Sequence, residues 1–189
     1  MVTALFTAFG VNGIPAHKWC EELIGLYNNK TLEKHYPPEH NLEDLDEFMC
    51  YWKRYQETRI SKLKYKNSLD SFIYGSERTE YLMGYFPNPK IKSMVLNGQS
   101  LKKLSWDWNR LGGTGLDACI YAYDCLLMSI QSPDSKTIDF DNIVYSFDTF
   151  MTLVAIHPGD SDSTGAIGGT WFGALNGYSS FDRERIKQL

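Results

Sequence analysis

The sequence predicts an all-α fold, and three observations predict it. Apolar residues recur with a period close to 3.6 through most of the 189 residues. Alternation of the kind a half-buried strand needs is scarce. Helix-start signals stand ahead of the periodic runs: Pro15 at a permitted first position, and Asn41 as a cap.

In chain order, Met1 to Phe9 is apolar without a charged leader, so it reads as the inside of a buried helix rather than a signal peptide. Such a helix needs neighbours, from a longer parent chain or a partner. Ala16 to Tyr27 follows Pro15 as a helix with Trp19, Leu23, Leu26 and Tyr27 on one face. Pro37-Pro38 breaks the chain, and a long charged helix from Leu42 to Lys64 presents Leu45, Phe48, Met49, Trp52 and Tyr55 on one side. From Asn67 to Asn109, Gly75, Gly84, Pro87, Pro89 and Gly98 punctuate the pattern, which predicts short helices joined by loops. Gly115 to Ile130, Ile138 to Ile156 and Ser163 to Gly177 read as three packed helices. There is no internal repeat and no low-complexity tract.

Composition narrows the function classes. With 43% hydrophobic and 22% charged residues, the chain has the material for a core. A net charge of -4, from 19 basic and 23 acidic residues, is mild and argues neither for a nucleic-acid groove nor for an anionic membrane surface. The basic-aromatic stretch Tyr51 to Lys66 reads as a solvated amphipathic helix, and no run reaches the length of a membrane span. Cys20, Cys50, Cys119 and Cys125 form no CxxC pair and sit in apolar or aromatic runs, where free cysteine behaves as a small buried hydrophobe. A cytoplasmic or other reducing intracellular compartment is the default expectation. His17, His35 and His40 lie in polar surroundings and read as surface residues.

The most informative segment runs from His157 to Trp171. Asp160 and Asp162, two residues apart and followed by Ser163, can converge on one hard cation where the backbone turns. An EF-hand loop matches at Asp160, Asp162, Thr164 and Gly165 but has Trp171 where a bidentate glutamate is required. A polar helix start, with the carboxylates capping backbone N–H groups, is the structural alternative. The helix that follows is rich in small residues: Gly165, Gly168, Gly169, Gly173 and Ala174. Glycine costs a helix interior about 1 kcal/mol relative to alanine, so close approach of another backbone is expected there. His157 either orients the acidic turn or completes a helix C-terminus.

A second candidate is the turn Gly112-Gly113-Thr114-Gly115, leading to Asp117 at the start of a helix. Glycines let main-chain N–H groups face an anion at a helix N-terminus. The turn lacks the Walker and the Gly-x-Gly-x-x-Gly spacings, and taken by itself such a turn is more often only a tight corner. Asp117 and Asp124 share a helix face, where capping or a salt bridge accounts for each as readily as ligand binding. Trp106 and Trp108 offer either an aromatic platform or buried core.

Gly159-Asp-Ser-Asp-Ser-Thr-Gly165 with its glycine-rich continuation resembles the C-terminal motif of the ADP-ribosyl-acceptor hydrolases, also called ADP-ribosylglycohydrolases. The glycine turn ending in Asp117-Ala118, followed by Ala122-Tyr-Asp124, resembles their arginine-specific branch, as does Ala4 to Asn12. Leu116 departs from that branch, which has histidine there. The resemblance implies the C-terminal portion of a compact orthogonal helical bundle. It implies Mg2+ as cofactor, with Asp160, Asp162 and Ser163 as ligands and the two aspartates at the catalytic centre. It also implies contact of Gly112, Gly113, Thr114, Gly115 and Asp117 with ADP-ribose. The family's second acidic motif, Ser/Thr-Asp-Asp-Thr, is absent; the nearest strings are Phe147-Asp148-Thr149 and Leu42-Glu-Asp-Leu45. Residues 1–189 are therefore expected to form a single incomplete domain whose N-terminal half is missing. The implied activity is removal of ADP-ribose from protein arginine once a complementary N-terminal chain, or a larger complex, completes the site. The alternative is an inactive ADP-ribose-binding or structural subunit.

Overall fold

A computed structural model describes residues 1–61, 112–131, 142–157 and 159–177. The predicted short helices between Asn67 and Asn109, the end of the helix predicted to reach Lys64, and Trp106 and Trp108 lie outside the described residues.

The described residues are mostly helical, as expected. Helix α1 spans Val2–Val11, α2 Trp19–Asn28, α3 Thr31–His35 and α4 Leu42–Tyr55, and after the undescribed stretch come α5 Asp117–Met128, α6 Phe147–Ala155 and α7 Ser161–Asn176. The helix expected to begin at Ala16 opens instead as a 3-10 turn, Ala16–Lys18, with Pro15 extended ahead of it. Asn41 caps α4 as predicted, its side chain accepting from the Glu43 N–H at 3.0 Å. That helix continues as a π-helical turn, Gln56–Ile60. Trp52, Tyr55, Arg59 and Ile60 are buried, so this stretch is amphipathic with one face in the core rather than solvated.

Two corrections concern the following segments. The helix expected from Gly115 to Ile130 ends at Met128, and Ile130–Gln131 (β1) pairs antiparallel with Val144–Tyr145 (β2), Ile130 opposite Tyr145. The helix expected from Ile138 begins only at Phe147, because Ser146 caps it by accepting from the Thr149 N–H at 3.2 Å. Two-residue strands are too short to show alternation, which is why the sequence concealed them.

Helix α5 is the centre of the assembly, and every residue from Asp117 to Met128 is buried. It packs against α6 and α7, while α7 also packs against α1 and α6. Phe6 of α1 is the aromatic hub: its ring lies 5.2–5.3 Å, centroid to centroid, from Trp19, Trp52, Tyr123 and Trp171. The polar tips of three of these rings find backbone partners. Trp19 Nε1 donates to Ile14 O at 2.7 Å, Trp171 Nε1 to Thr3 O at 3.0 Å, and the Tyr123 hydroxyl to Ala16 O at 2.6 Å.

Buried charge in α5 is matched. Asp124, fully buried, accepts from Arg59 Nε at 2.7 Å, Arg59 Nη2 at 3.0 Å and the Tyr55 hydroxyl at 2.8 Å. Burial, then the neighbouring Asp124 charge, pushes the Tyr55 hydroxyl well above its ordinary range.

His35 and His40 are exposed as expected, but His17 is buried, because the 3-10 turn folds Ala16, His17 and Trp19 inward together. Cys20, Cys119 and Cys125 are buried, whereas Cys50 is exposed on the solvent side of α4; none forms a disulfide. Among the described residues no helix is long and apolar enough to cross a membrane.

Candidate functional site

The acidic turn sits between the end of α6 and the start of α7. Its backbone folds tightly: the Gly159 N–H donates to His157 O at 2.9 Å, and the Ser161 N–H to Gly159 O at 3.0 Å. Asp160 then caps α7, which starts two residues earlier than the spacing predicted. Its carboxylate accepts from the Ser163 N–H at 3.3 Å and from the Ser163 hydroxyl at 3.0 Å. The capping alternative and the cation alternative are thus built from the same side chain.

Asp162, two residues on, is the largest influence holding Asp160 below the usual carboxylate range. The bonds from Ser163 come next, and the nearby His157 ring adds a smaller electrostatic pull. Neighbouring ionised carboxylates repel, and a shared proton or a cation relieves that repulsion. Neither forms an ion pair among the described residues, so no lysine or arginine described here plugs the place.

The donor set suits a hard ion in kind. Asp160, Asp162 and the Ser163 hydroxyl offer oxygen only, as magnesium prefers, but they supply at most half of an octahedral shell. Among the described residues no third His, Cys, Asp or Glu joins them.

The fold brings the glycine turn to the acidic one. Gly112 is buried with φ +88°, and a Cβ there would lie 2.7 Å from Thr164 Cγ2 and 2.9 Å from Asp160 O. Only glycine fits, on both counts. The rest of the turn, Gly113, Thr114 and Gly115, is exposed beside this contact. Asp117 is buried and faces back along the chain: it accepts from the Thr114 N–H (2.8 Å) and hydroxyl (2.7 Å), while its own N–H donates to Thr114 Oγ1 at 3.3 Å. This is a reciprocal cap, so Asp117 holds the turn's shape. Asp124, on the same helix face, is committed to Arg59.

A cavity of about 450 Å³ opens beside the turn, with Gly115, Leu116, Tyr36, Asp44 and Phe48 in its wall.

Of the small residues in α7, Gly168 and Ala174 serve close packing. A Cβ on Gly168 would lie 2.9 Å from the Phe150 ring, and Ala174 Cβ lies 3.0 Å from where a Cβ on Gly10 would stand. Gly165, Gly169 and Gly173 have nothing described within that reach.

Two residues that the sequence did not mark as important hold the turn. Thr164 is fully buried, and its hydroxyl meets His157 Nε2 at 2.8 Å; Tyr121 of α5 packs its ring 4.4 Å from that of His157. Their only sequence signal was the hydroxyl four residues after Asp160 and a tyrosine in an apolar helix. His157, just past the end of α6, faces the turn through this contact.

A model of the ADP-ribosylglycohydrolase family matches residues 42–189, which covers both turns. The chain belongs to the ADP-ribosylglycohydrolase family. It is similar to the ADP-ribosylhydrolase ARH1 of Dictyostelium discoideum, with 28% identity over 194 aligned positions, covering 95% of this chain and 42% of that protein. It is also similar to an ADP-ribosyl glycohydrolase of Acanthamoeba polyphaga mimivirus, with 27% identity over 180 positions, covering 92% of this chain and 29% of that protein. The ADP-ribosylglycohydrolase chain thus spans less than half the length of these curated relatives. No solved structure matches it.

Proposed function

We propose that this chain contributes one half of a magnesium-dependent ADP-ribosylarginine hydrolase site. The observation that carries the reading is the grouping of Asp160, Asp162 and Ser163 at the start of α7, with Gly112 pressed against the Asp160 carbonyl. Membership of the ADP-ribosylglycohydrolase family supports the reaction class, N-glycosidic cleavage of ADP-ribose from a protein side chain.

In this reading Asp160, Asp162 and Ser163 hold Mg2+ on one side, and further oxygen ligands come from chain outside these 189 residues. When bound, the ion would supply Lewis acidity that activates a water for attack and would orient the substrate. The carboxylates also accept and return protons around the attacking water. Gly113, Thr114 and Gly115 offer the start of α5 to the substrate phosphates, where a helix N-terminus favours negative charge. The neighbouring cavity, about 450 Å³, has room for a nucleotide-sized group. Arginine as the acceptor rests on the Ala118 to Asp124 resemblance.

A second reading, an ADP-ribose-binding or structural subunit without turnover, is favoured by one observation: the described residues supply only two carboxylates to the site. The deciding experiment incubates ADP-ribosylated arginine peptide and magnesium with the chain alone, and with the chain plus an N-terminal half from a relative. Release only in the mixture supports the split hydrolase. ADP-ribose binding with no release in either arm supports the second reading.

A further inference from the structure

We propose that His157 is a positioning residue, clamping the acidic turn in the form that groups Asp160, Asp162 and Ser163. Its effect on cation affinity rests on the half-site reading above; its effect on the turn does not.

The argument starts from the protons available around Thr164. Its buried hydroxyl lies 3.2 Å from Val154 O, 3.1 Å from Asp160 O, 3.3 Å from Ser161 O and 2.8 Å from His157 Nε2. Carbonyl oxygens only accept, and a hydroxyl has one proton to give. Were that proton given to the imidazole, none of the three carbonyl oxygens would receive it, and of the three Asp160 O would keep the Thr164 N–H at 3.2 Å. With Nε2 carrying the hydrogen and donating to Thr164 Oγ1, the hydroxyl keeps its own proton for one of these carbonyls. His157 Nε2–H is thereby the donor that completes the cluster.

That cluster joins separate elements. Val154 belongs to α6, Asp160 caps α7, and Thr164 lies in its first turn. Tyr121 of α5 packs against the ring, its centroid 4.4 Å away. Thr164 Cγ2 is also the atom against which Gly112 fits. One imidazole therefore ties the carbonyl of Asp160, and with it the direction of its side chain, to α5 and α6.

The test uses the full chain carrying His157→Ala, His157→Gln, Thr164→Val or Asp162→Asn. Gln retains an N–H donor near the position of Nε2; Val keeps the shape of Thr164 and removes the hydroxyl. Amide hydrogen exchange is followed at Ser163 and Thr164, and Mn2+ affinity is measured in parallel. His157→Ala and Thr164→Val are expected to speed exchange at these amides about five- to tenfold, the loss of roughly one net hydrogen bond, with α5 amides unchanged. Mn2+ affinity should fall about 10–100-fold, as when an outer partner of a metal ligand is removed, and Gln should restore most of both. Exchange at wild-type rates in His157→Ala, or a Gln variant as impaired as Ala, would overturn the proposal. Should wild type fail to bind Mn2+ in a way that Asp162→Asn abolishes, the half-site reading falls, while the exchange rates still decide the role of His157.

Discussion

Gly112 lies against Asp160 so closely that a methyl group on its α-carbon would stand 2.9 Å from the Asp160 carbonyl oxygen. Two turns 48 positions apart in the chain thus share one wall. In Gly112→Ala the new group also meets Thr164 Cγ2, and φ +88° disfavours any side chain. We expect a loss of about 1–3 kcal/mol in urea denaturation, the usual cost of overpacking, together with weakened binding at the acidic turn. A variant as stable as wild type would show that the two turns are not in contact.

The Arg59–Asp124 pair makes a second prediction. Both groups are buried, at 3% and 0% exposure, so removing one leaves the other without its partner in the core. Arg59→Met or Asp124→Leu alone should cost about 3–5 kcal/mol. The double substitution should recover much of that loss, read from a double-mutant cycle in chemical denaturation. Additive losses would contradict the pairing.

Gly168 is where α5, α6 and α7 converge. Gly168→Val must displace the Phe150 ring, which already stacks on Phe172 at 5.0 Å. We expect destabilisation of about 1–3 kcal/mol, while Gly169→Ala, with no described atom within 4 Å of the new methyl group, should be neutral or better. Thermal melts of the two variants side by side decide the matter.

How much of this was legible in the sequence depends on the range of the interaction. Helix α4 was readable because Leu45, Met49, Trp52 and Tyr55 recur on one face and Asn41 caps it. The acidic turn was readable because its residues are contiguous. What stayed hidden was set by tertiary contact: Arg59 facing Asp124, His17 turned inward, and Gly112 beneath Thr164. Helix α5 is buried on all sides, so no polar stripe marked where it ends and β1 begins.

A pH prediction follows from Asp160. Its folded carboxyl is held below the ordinary 3.8, first by Asp162 and then by Ser163, so its charge favours the folded state. That contribution is fully present above the ordinary value and is lost as pH falls through the lower folded value. The stability gap between wild type and Asp160→Asn should be constant near neutral pH and narrow below about pH 4. A gap that widens on acidification would reverse the sign and refute the assignment.

The central claim is that Asp160 and Asp162 form a grip for a divalent ion, and calorimetric titration with Mn2+ tests it most directly. Wild type should show weak but saturable uptake, displaced by magnesium, and Asp162→Asn should lose about tenfold or more in affinity while melting as wild type does. Uptake that Asp162→Asn leaves unchanged, or no saturable uptake at all, would contradict it.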